Sequence, residues 1–264
     1  MNRRNYKGYL LDLDGTVYRG GTVIPEAVSF IRTLKEKRIP YLYVTNNSSL
    51  TPEQLTERLQ NMGVEASPED FFTSSMAVAA IIRQMARESE TEKNVTVLAI
   101  GETGLKTALA EAGYEIVEKA PASYVVVGID RQFTYEKMKQ ATLAIYNGAR
   151  FLSTNCDRAI PTEEGFVPGN GALTASIAYA TQTEPIYVGK PEETIIRLAL
   201  EKLGLRADEA LLIGDNLETD IAAGAKSGVD TLLVYSGFSQ EVDVEHAAVK
   251  PTYTAHTLAD WKII

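Results

Sequence analysis

Two aspartates one residue apart, Asp12 and Asp14, follow the apolar run Tyr9-Leu10-Leu11 and precede Gly15-Thr16. Carboxylates so close together can share nucleophilic and acid–base work, or present oxygen to a hard cation. The same residues also suit a solvated turn, because aspartate and glycine are common turn formers. A calcium loop counted from Asp12 needs glycine at its sixth position and glutamate at its twelfth, and the chain has Val17 and Val23 there. Whether the pair does chemistry depends on which other polar residues reach the same place.

Three further apolar runs end in polar residues. Ile39 to Val44 runs into Thr45-Asn46-Asn47-Ser48-Ser49, Ile186 to Val188 into Gly189-Lys190-Pro191, and Leu211 to Ile213 into Gly214-Asp215 with Asp220 five positions on. In a parallel, doubly wound sheet the carboxyl ends of the strands share one edge, where ligands bind, so these clusters converge. Each pair of carboxylates about 4 Å apart costs roughly 4 kcal/mol at an effective dielectric near 20. Three acids in one pocket therefore call for a cation or for protonation. Oxygen donors of this kind suit Mg²⁺, which retains waters and shares phosphate oxygens. Lys190, Thr45 and Asn46 would then supply donors for the remaining phosphate oxygens.

The elements that must hold these residues alternate strand and helix, which predicts an α/β fold with a doubly wound parallel sheet. Thr16 to Val23 reads as a small flap turning at Gly20-Gly21. Pro25 opens a helix with Val28, Ile31 and Leu34 at helical spacing, and Thr51-Pro52 opens another that Gly63 closes. Ser67-Pro68 starts a helix, and a longer one runs past Met76, Ala80 and Ile81 towards Arg87. A polar linker over 88–94 leads into a second strand–helix series. Its strands are expected at Val95 to Ile100, Tyr124 to Val127 and Phe151-Leu152, and its helices over 104–112, 134–147 and 173–181, with a loop from Asn155 to Gly171. The expected organisation is a core over 1–80 and 184–264, with an inserted α/β domain over 81–183.

Composition narrows the function classes. The chain has 264 residues, 45% hydrophobic and 23% charged, with a net charge of −9. Its lysines and arginines form no basic block, which argues against nucleic acid as a partner. A single cysteine, Cys156, permits no internal disulfide and fits a reducing compartment. The two histidines, His246 and His256, lie near the end, away from every cluster above, which disfavours Ser-His-Asp hydrolysis and histidine zinc sites. Arg3, Arg4 and Lys7 precede an apolar run too brief for a signal peptide, and no segment is long enough to span a membrane. The expectation is a cytoplasmic protein with no membrane partner; its oligomeric state is open.

The ordered set Asp-x-Asp-Gly-Thr, strand-end Thr-Asn, Lys, and Gly-Asp-x-x-x-x-Asp resembles the haloacid dehalogenase (HAD) superfamily of phosphatases over nearly the whole chain. The room for about a hundred residues between Thr45 and Lys190 resembles its type-II capped branch. Asn46-Asn47-Ser48, Val127-Gly128-Ile129-Asp130-Arg131 and Gly169-x-Gly171-Ala172-Leu173 are similar to the NagD-like subfamily within it. The resemblance implies a HAD core with a cap domain, acting on small phosphomonoesters such as sugar phosphates, nucleoside monophosphates or aryl phosphates. It further implies that Asp12 attacks phosphorus to form an aspartyl-phosphate, and that Asp14 is the general acid and then the base. Mg²⁺ would be bound by the Asp12 and Asp215 carboxylates and the Asp14 backbone carbonyl, with Thr45, Asn46 and Lys190 on the phosphate. Asp220 would orient the metal shell, with direct ligation left open.

Asn155 and Asp157 are candidates to read the leaving group, and a self-satisfied polar loop explains them equally well. Gly169-x-Gly171 lacks the third glycine and preceding strand of a dinucleotide fingerprint. Cys156 reads as a bystander and Trp261 as packing. Two other functions use the same residues: a phosphomutase returning the phosphoryl group to sugar, and a phospho-accepting signalling module.

Overall fold

In the computed structural model, which describes residues 4–89, 94–162 and 164–263, the run before Asp12 forms β1 (Gly8–Leu11), with all four residues buried. A hairpin of β2 (Tyr18–Arg19) and β3 (Thr22–Val23) follows, turning at Gly20 and Gly21 as expected of the flap. Next come α1 (Pro25–Glu36), β4 (Tyr41–Thr45), α2 (Pro52–Asn61) and β5 (Phe71–Thr73). Helix α1 buries Ala27, Phe30, Ile31 and Leu34, a stripe with the periodicity of one helix face, while Val28 sits at its edge. Each fully buried leucine or isoleucine contributes roughly 1.5–3 kcal/mol.

The middle of the chain continues with α3 (Ser74–Glu88), β6 (Thr96–Ile100), α4 (Thr103–Glu111), β7 (Glu115–Val117), β8 (Tyr124–Val127) and α5 (Tyr135–Tyr146). Then follow β9 (Arg150–Ser153), the antiparallel pair β10 (Ala159–Thr162) and β11 (Gly165–Pro168), α6 (Asn170–Thr181) and β12 (Ile186–Tyr187). The last stretch holds α7 (Glu193–Leu203), β13 (Ala210–Gly214), α8 (Ala222–Lys226), β14 (Asp230–Val234), α9 (Glu241–His246) and β15 (Tyr253–Ala255).

The chain folds into two units. The first comprises Met1–Thr45, Pro52–Phe72 and Lys190–Ile264. Its sheet has the order β15-β14-β13-β1-β4-β5, and the pairs from β15 through β4 are parallel. Strands β1, β4 and β13 are buried throughout, which is why each is a continuous apolar run without alternation. The second unit comprises Asn46–Thr51 and Thr73–Gly189, with a parallel sheet ordered β12-β9-β8-β6-β7. Its core joins Leu98, Ile100, Val125, Val127 and Phe151 of the strands to Ala141, Ala144, Ile145 and Ile177 of α5 and α6.

Several details depart from the expected elements. Ser67-Pro68 opens only a three-residue 3₁₀ helix, after which Phe71 turns into β5; a three-residue strand is too short to show periodicity. Strand β7 escaped for the same reason. The stretch from Asn155 to Gly171 contains the β10–β11 hairpin, and α6 begins at Asn170, with Leu173 already inside it. Helix α3 belongs with the second unit, packing on α4, although a break at 80/81 would cut it in two. The linker expected over 88–94 falls largely on 90–93, outside the described residues, as does Arg3. Among the described residues no helix is long and apolar enough to cross a membrane.

Candidate active site

Strand register brings the polar strand ends to one edge. Leu11 pairs with Tyr43 of β4 and with Ile213 of β13, all parallel, so Asp12, Thr45 and Asp215 emerge at the same edge of the first unit. Strand β1 lies where the chain order reverses: later strands run outward through β4 on one side and through β13 on the other. That is the topological position at which open α/β sheets bind ligands.

Lys190 occupies the centre of this edge. Its Nζ donates to Asp12 Oδ1 at 2.5 Å, to Asp220 Oδ1 at 2.7 Å and to the Val44 carbonyl at 2.9 Å. An ammonium has three N–H bonds, and these three acceptors engage all of them. Asp220 is held from its other side as well, with Oδ2 accepting the Asn216 N–H at 3.1 Å. Both of its oxygens therefore serve to orient Lys190 and the turn after β13. Asp215 Oδ2 accepts the Phe238 N–H at 2.5 Å.

Asp12, Asp215 and Asp220 are buried, and one carboxylate oxygen from each lies within 4.8 Å of the others. Burial pushes the Asp12 carboxyl well above its ordinary range, Lys190 pulls it back, and Asp220 and Asp215 add to the rise. Asp215 is pushed up to about 7, by burial first and then by Asp220, against the Phe238 N–H and Lys190. Burial works against a charged Lys190, yet Asp12 and Asp220 together outweigh it and hold the ammonium protonated. With all four groups ionised, the three carboxylates exceed the one ammonium by two negative charges.

Two glycines make room for Asp215. A Cβ on Gly15 or on Gly237 would run into its carboxylate, and Gly15 also has φ +88°, where glycine alone is unstrained. The segment around Gly237 forms a collar: Ser239 N–H reaches the Asp215 carbonyl at 3.0 Å, and Ser236 Oγ donates to the Gly15 carbonyl at 2.7 Å. An oxygen-only cluster with two surplus negative charges in a cradle that a methyl group would fill fits a small divalent cation such as Mg²⁺.

Asp14 sits on the exposed side of the turn after β1. Gly15 N–H donates to Tyr18 O at 2.6 Å, and Asp14 bridges to Tyr18 at the start of the flap. The surrounding chain lifts its carboxyl above the ordinary value, opposed by the Arg58 guanidinium and the Gly20 N–H.

The first unit thus gathers Asp12, Asp14, Thr45, Lys190, Asp215 and Asp220, while Asn46 belongs to the second. There the Asn46 amide donates to both Asp157 oxygens, at 3.2 and 3.4 Å, and the Asn155 amide donates to the Asn46 carbonyl at 2.9 Å. Both residues left open in the loop are therefore partners of Asn46. Gly169 and Gly171 let the start of α6 press on this loop, since a Cβ on either would meet the Asp157 or Cys156 carbonyl. Buried Asn170 ties the arrangement to β9, its amide donating to Ser153 Oγ, Thr154 Oγ1 and the Asn155 carbonyl.

Sequence reasoning missed Arg58 and the Gly237-Phe238 collar. Arg58 is an ordinary polar position on an amphipathic helix and carries no signal. The collar carried one: Ser236-Gly237 follows the apolar run Thr231 to Val234, the same strand-end signature that marked the other clusters.

Residues 9–115 match the family described as haloacid dehalogenase-like hydrolase, and residues 187–261 match a HAD-hydrolase-like family. The chain is 46% identical over 258 residues to the 5'-nucleotidase YutF of Bacillus subtilis, covering 98% of both chains. It is 46% identical to an acid sugar phosphatase of Staphylococcus epidermidis, covering 95% of each. Among solved structures, NagD from E. coli superposes with a TM-score of 0.90 at 33% identity, over 99% of this chain and 100% of that one.

Proposed function

Because this chain belongs to the haloacid dehalogenase-like hydrolases, as a NagD-like member, we propose that it hydrolyses small phosphomonoesters through a phosphoenzyme on Asp12. The observation that carries the reading is the Lys190–Asp12–Asp220 triad beside Asp215, buried at the switch point of a parallel sheet. Substrates of the class named for the relatives, sugar phosphates and nucleoside monophosphates, suit it, as do aryl phosphates.

An Asp12 carboxylate oxygen attacks phosphorus as the bond to the leaving oxygen breaks, and Asp14 gives that oxygen its proton. Asp14, now a carboxylate, takes a proton from water as the water oxygen attacks the phosphoryl group and frees Asp12. Asp12, Asp215 and the Asp14 carbonyl would hold Mg²⁺, which supplies the positive charge that offsets repulsion between carboxylate and phosphate. Lys190 keeps one Asp12 oxygen fixed and acts on the phosphate as a charge, since its three N–H bonds are already engaged. Asp220 holds Lys190 in place. Thr45 and Asn46 donate to phosphate oxygens. We read the second unit as the cap that selects the leaving group, with Asn155 and Asp157 acting through Asn46.

The test is release of inorganic phosphate from p-nitrophenyl phosphate with and without Mg²⁺. Wild type is expected to need the cation, and Asp12→Asn to lose activity by at least three orders of magnitude. Activity retained in that variant removes Asp12 as nucleophile. Isomerised sugar phosphate without free phosphate would identify a mutase instead.

A further inference from the structure

Helix α2 buries Leu55, Thr56 and Leu59, which leaves Arg58 half-buried at the margin of that face. Its Nη2 donates to the Gly20 carbonyl at 2.8 Å, and its guanidinium carbon lies 4.5 Å from the centre of the Tyr18 ring. These are the two flap residues that hold Asp14. The Gly20 N–H faces the Asp14 carboxyl, and Tyr18 bridges to the Asp14 backbone. The Gly20-Gly21 tip is exposed, and a Cβ on either glycine would meet nothing within 4 Å. The base of the flap is fastened separately, by the Arg19 guanidinium on the Ser236 carbonyl and by Ser236 Oγ on the Gly15 carbonyl.

We propose that Arg58 is a positioning residue for Asp14, acting through the Gly20 peptide and the Tyr18 ring; the inference rests on Asp14 being the general acid. Arg58 touches no reacting atom. It fixes Gly20, whose carbonyl it binds and whose N–H aims the Asp14 carboxyl at the departing ester oxygen. The stacked guanidinium keeps that grip while Tyr18, 2% exposed, supplies a rigid floor. Loss of Arg58 would let the tip drift, and a small drift of a proton donor is costly to the step that needs the proton.

That step depends on the leaving group, which provides the test. p-Nitrophenolate departs without a proton, whereas the alkoxide of a sugar or glycerol phosphate must receive one as its bond to phosphorus breaks. Arg58→Gln is expected to lower kcat/KM for glycerol phosphate about tenfold or more beyond any effect on p-nitrophenyl phosphate, within the range general acids supply. KM for both esters should stay within about twofold, and Arg58→Lys, which keeps a cation and a donor, should restore most of the loss. Melting temperatures of both variants exclude unfolding as the cause. Equal losses on the two esters, or a rise in KM on both, would overturn the proposal in favour of plain scaffolding or direct phosphate binding. Asp14→Asn measured in parallel separates the layers: if it shows the leaving-group bias and Arg58→Gln does not, the inference alone fails. If Asp14→Asn shows no bias, the reading of Asp14 as acid fails and the inference with it.

Discussion

Lys190 and Asp12, 178 positions apart in the chain, meet in a buried ion pair at 2.5 Å. Both groups are largely shut off from solvent, so each depends on the other and on Asp220 for compensation. Replacing Lys190 with methionine keeps the volume and removes the charge. The two carboxylates then remain buried without a counter-ion, an arrangement that costs about 3–5 kcal/mol. Urea unfolding of metal-free protein at pH 8 should reveal that loss, and at pH 5, where the carboxyls can protonate, the loss should be smaller. Equal stability of wild type and variant at both pH values contradicts the burial argument.

Asp215 gives the metal-free protein an unusual pH dependence. Its folded value of about 7 lies above the ordinary unfolded value near 3.9, so the folded state binds the proton more tightly. The stability it contributes is complete below pH about 4 and disappears as pH rises through about 7. Asp12 shifts in the same direction. In EDTA the Tm should therefore fall between pH 4 and 8, and Asp215→Asn should flatten part of the slope. Added Mg²⁺ should raise Tm more at pH 8 than at pH 5. A Tm that rises with pH through this window in EDTA, with no change of slope in Asp215→Asn, contradicts the assignment.

Gly237→Ala tests the collar without replacing a charged residue. Its methyl group would displace the Asp215 carboxylate and with it the Phe238 amide contact. Changes to the groups that orient a metal's ligands typically cost 10–100-fold in metal affinity. The Mg²⁺ concentration for half-maximal activity should rise by about that factor while the far-ultraviolet circular dichroism stays the same. An unchanged Mg²⁺ requirement separates the collar from the cation.

In the second unit, Asn170→Ala removes an amide whose two N–H bonds are shared among three buried acceptors under the Asn155 to Asp157 loop. Ser153 Oγ and the Asn155 carbonyl keep each other, but Thr154 Oγ1 loses its Asn170 donor, and a buried polar group left unsatisfied costs about 1–3 kcal/mol. Thermal unfolding should show a clear loss, whereas Ala172→Ser, on the exposed face of the same helix, should change little. Comparable melting of the two variants would place the loop's support elsewhere.

Much of the site was readable from the chain because its residues sit where apolar runs stop. Asp12, Thr45, Lys190 and Asp215 each follow such a run, and parallel pairing did the rest by aligning the strand ends. The short strands β5 and β7 left no trace because three residues cannot show a period. The hairpin β10–β11 hid in what read as loop. Asp220's service to Lys190 was invisible for a different reason: a salt bridge spanning 30 positions is a property of the packed core, and only the fold brings the two side chains together. Arg58 is the extreme case, its role set by which peptide of the flap it happens to face.

The two surplus negative charges that Asp12, Asp215, Asp220 and Lys190 carry when all are ionised also bear on how cation and ester would bind together. A phosphate dianion approaching these four groups alone is repelled, while a divalent cation is drawn in and neutralises them. With the proposed cation in place, cation and ester would bind with positive coupling, each tightening the other by the same factor. On the proposed reading the ester's apparent affinity would rise and fall with the divalent cation around it, so the supply of one ion would throttle turnover.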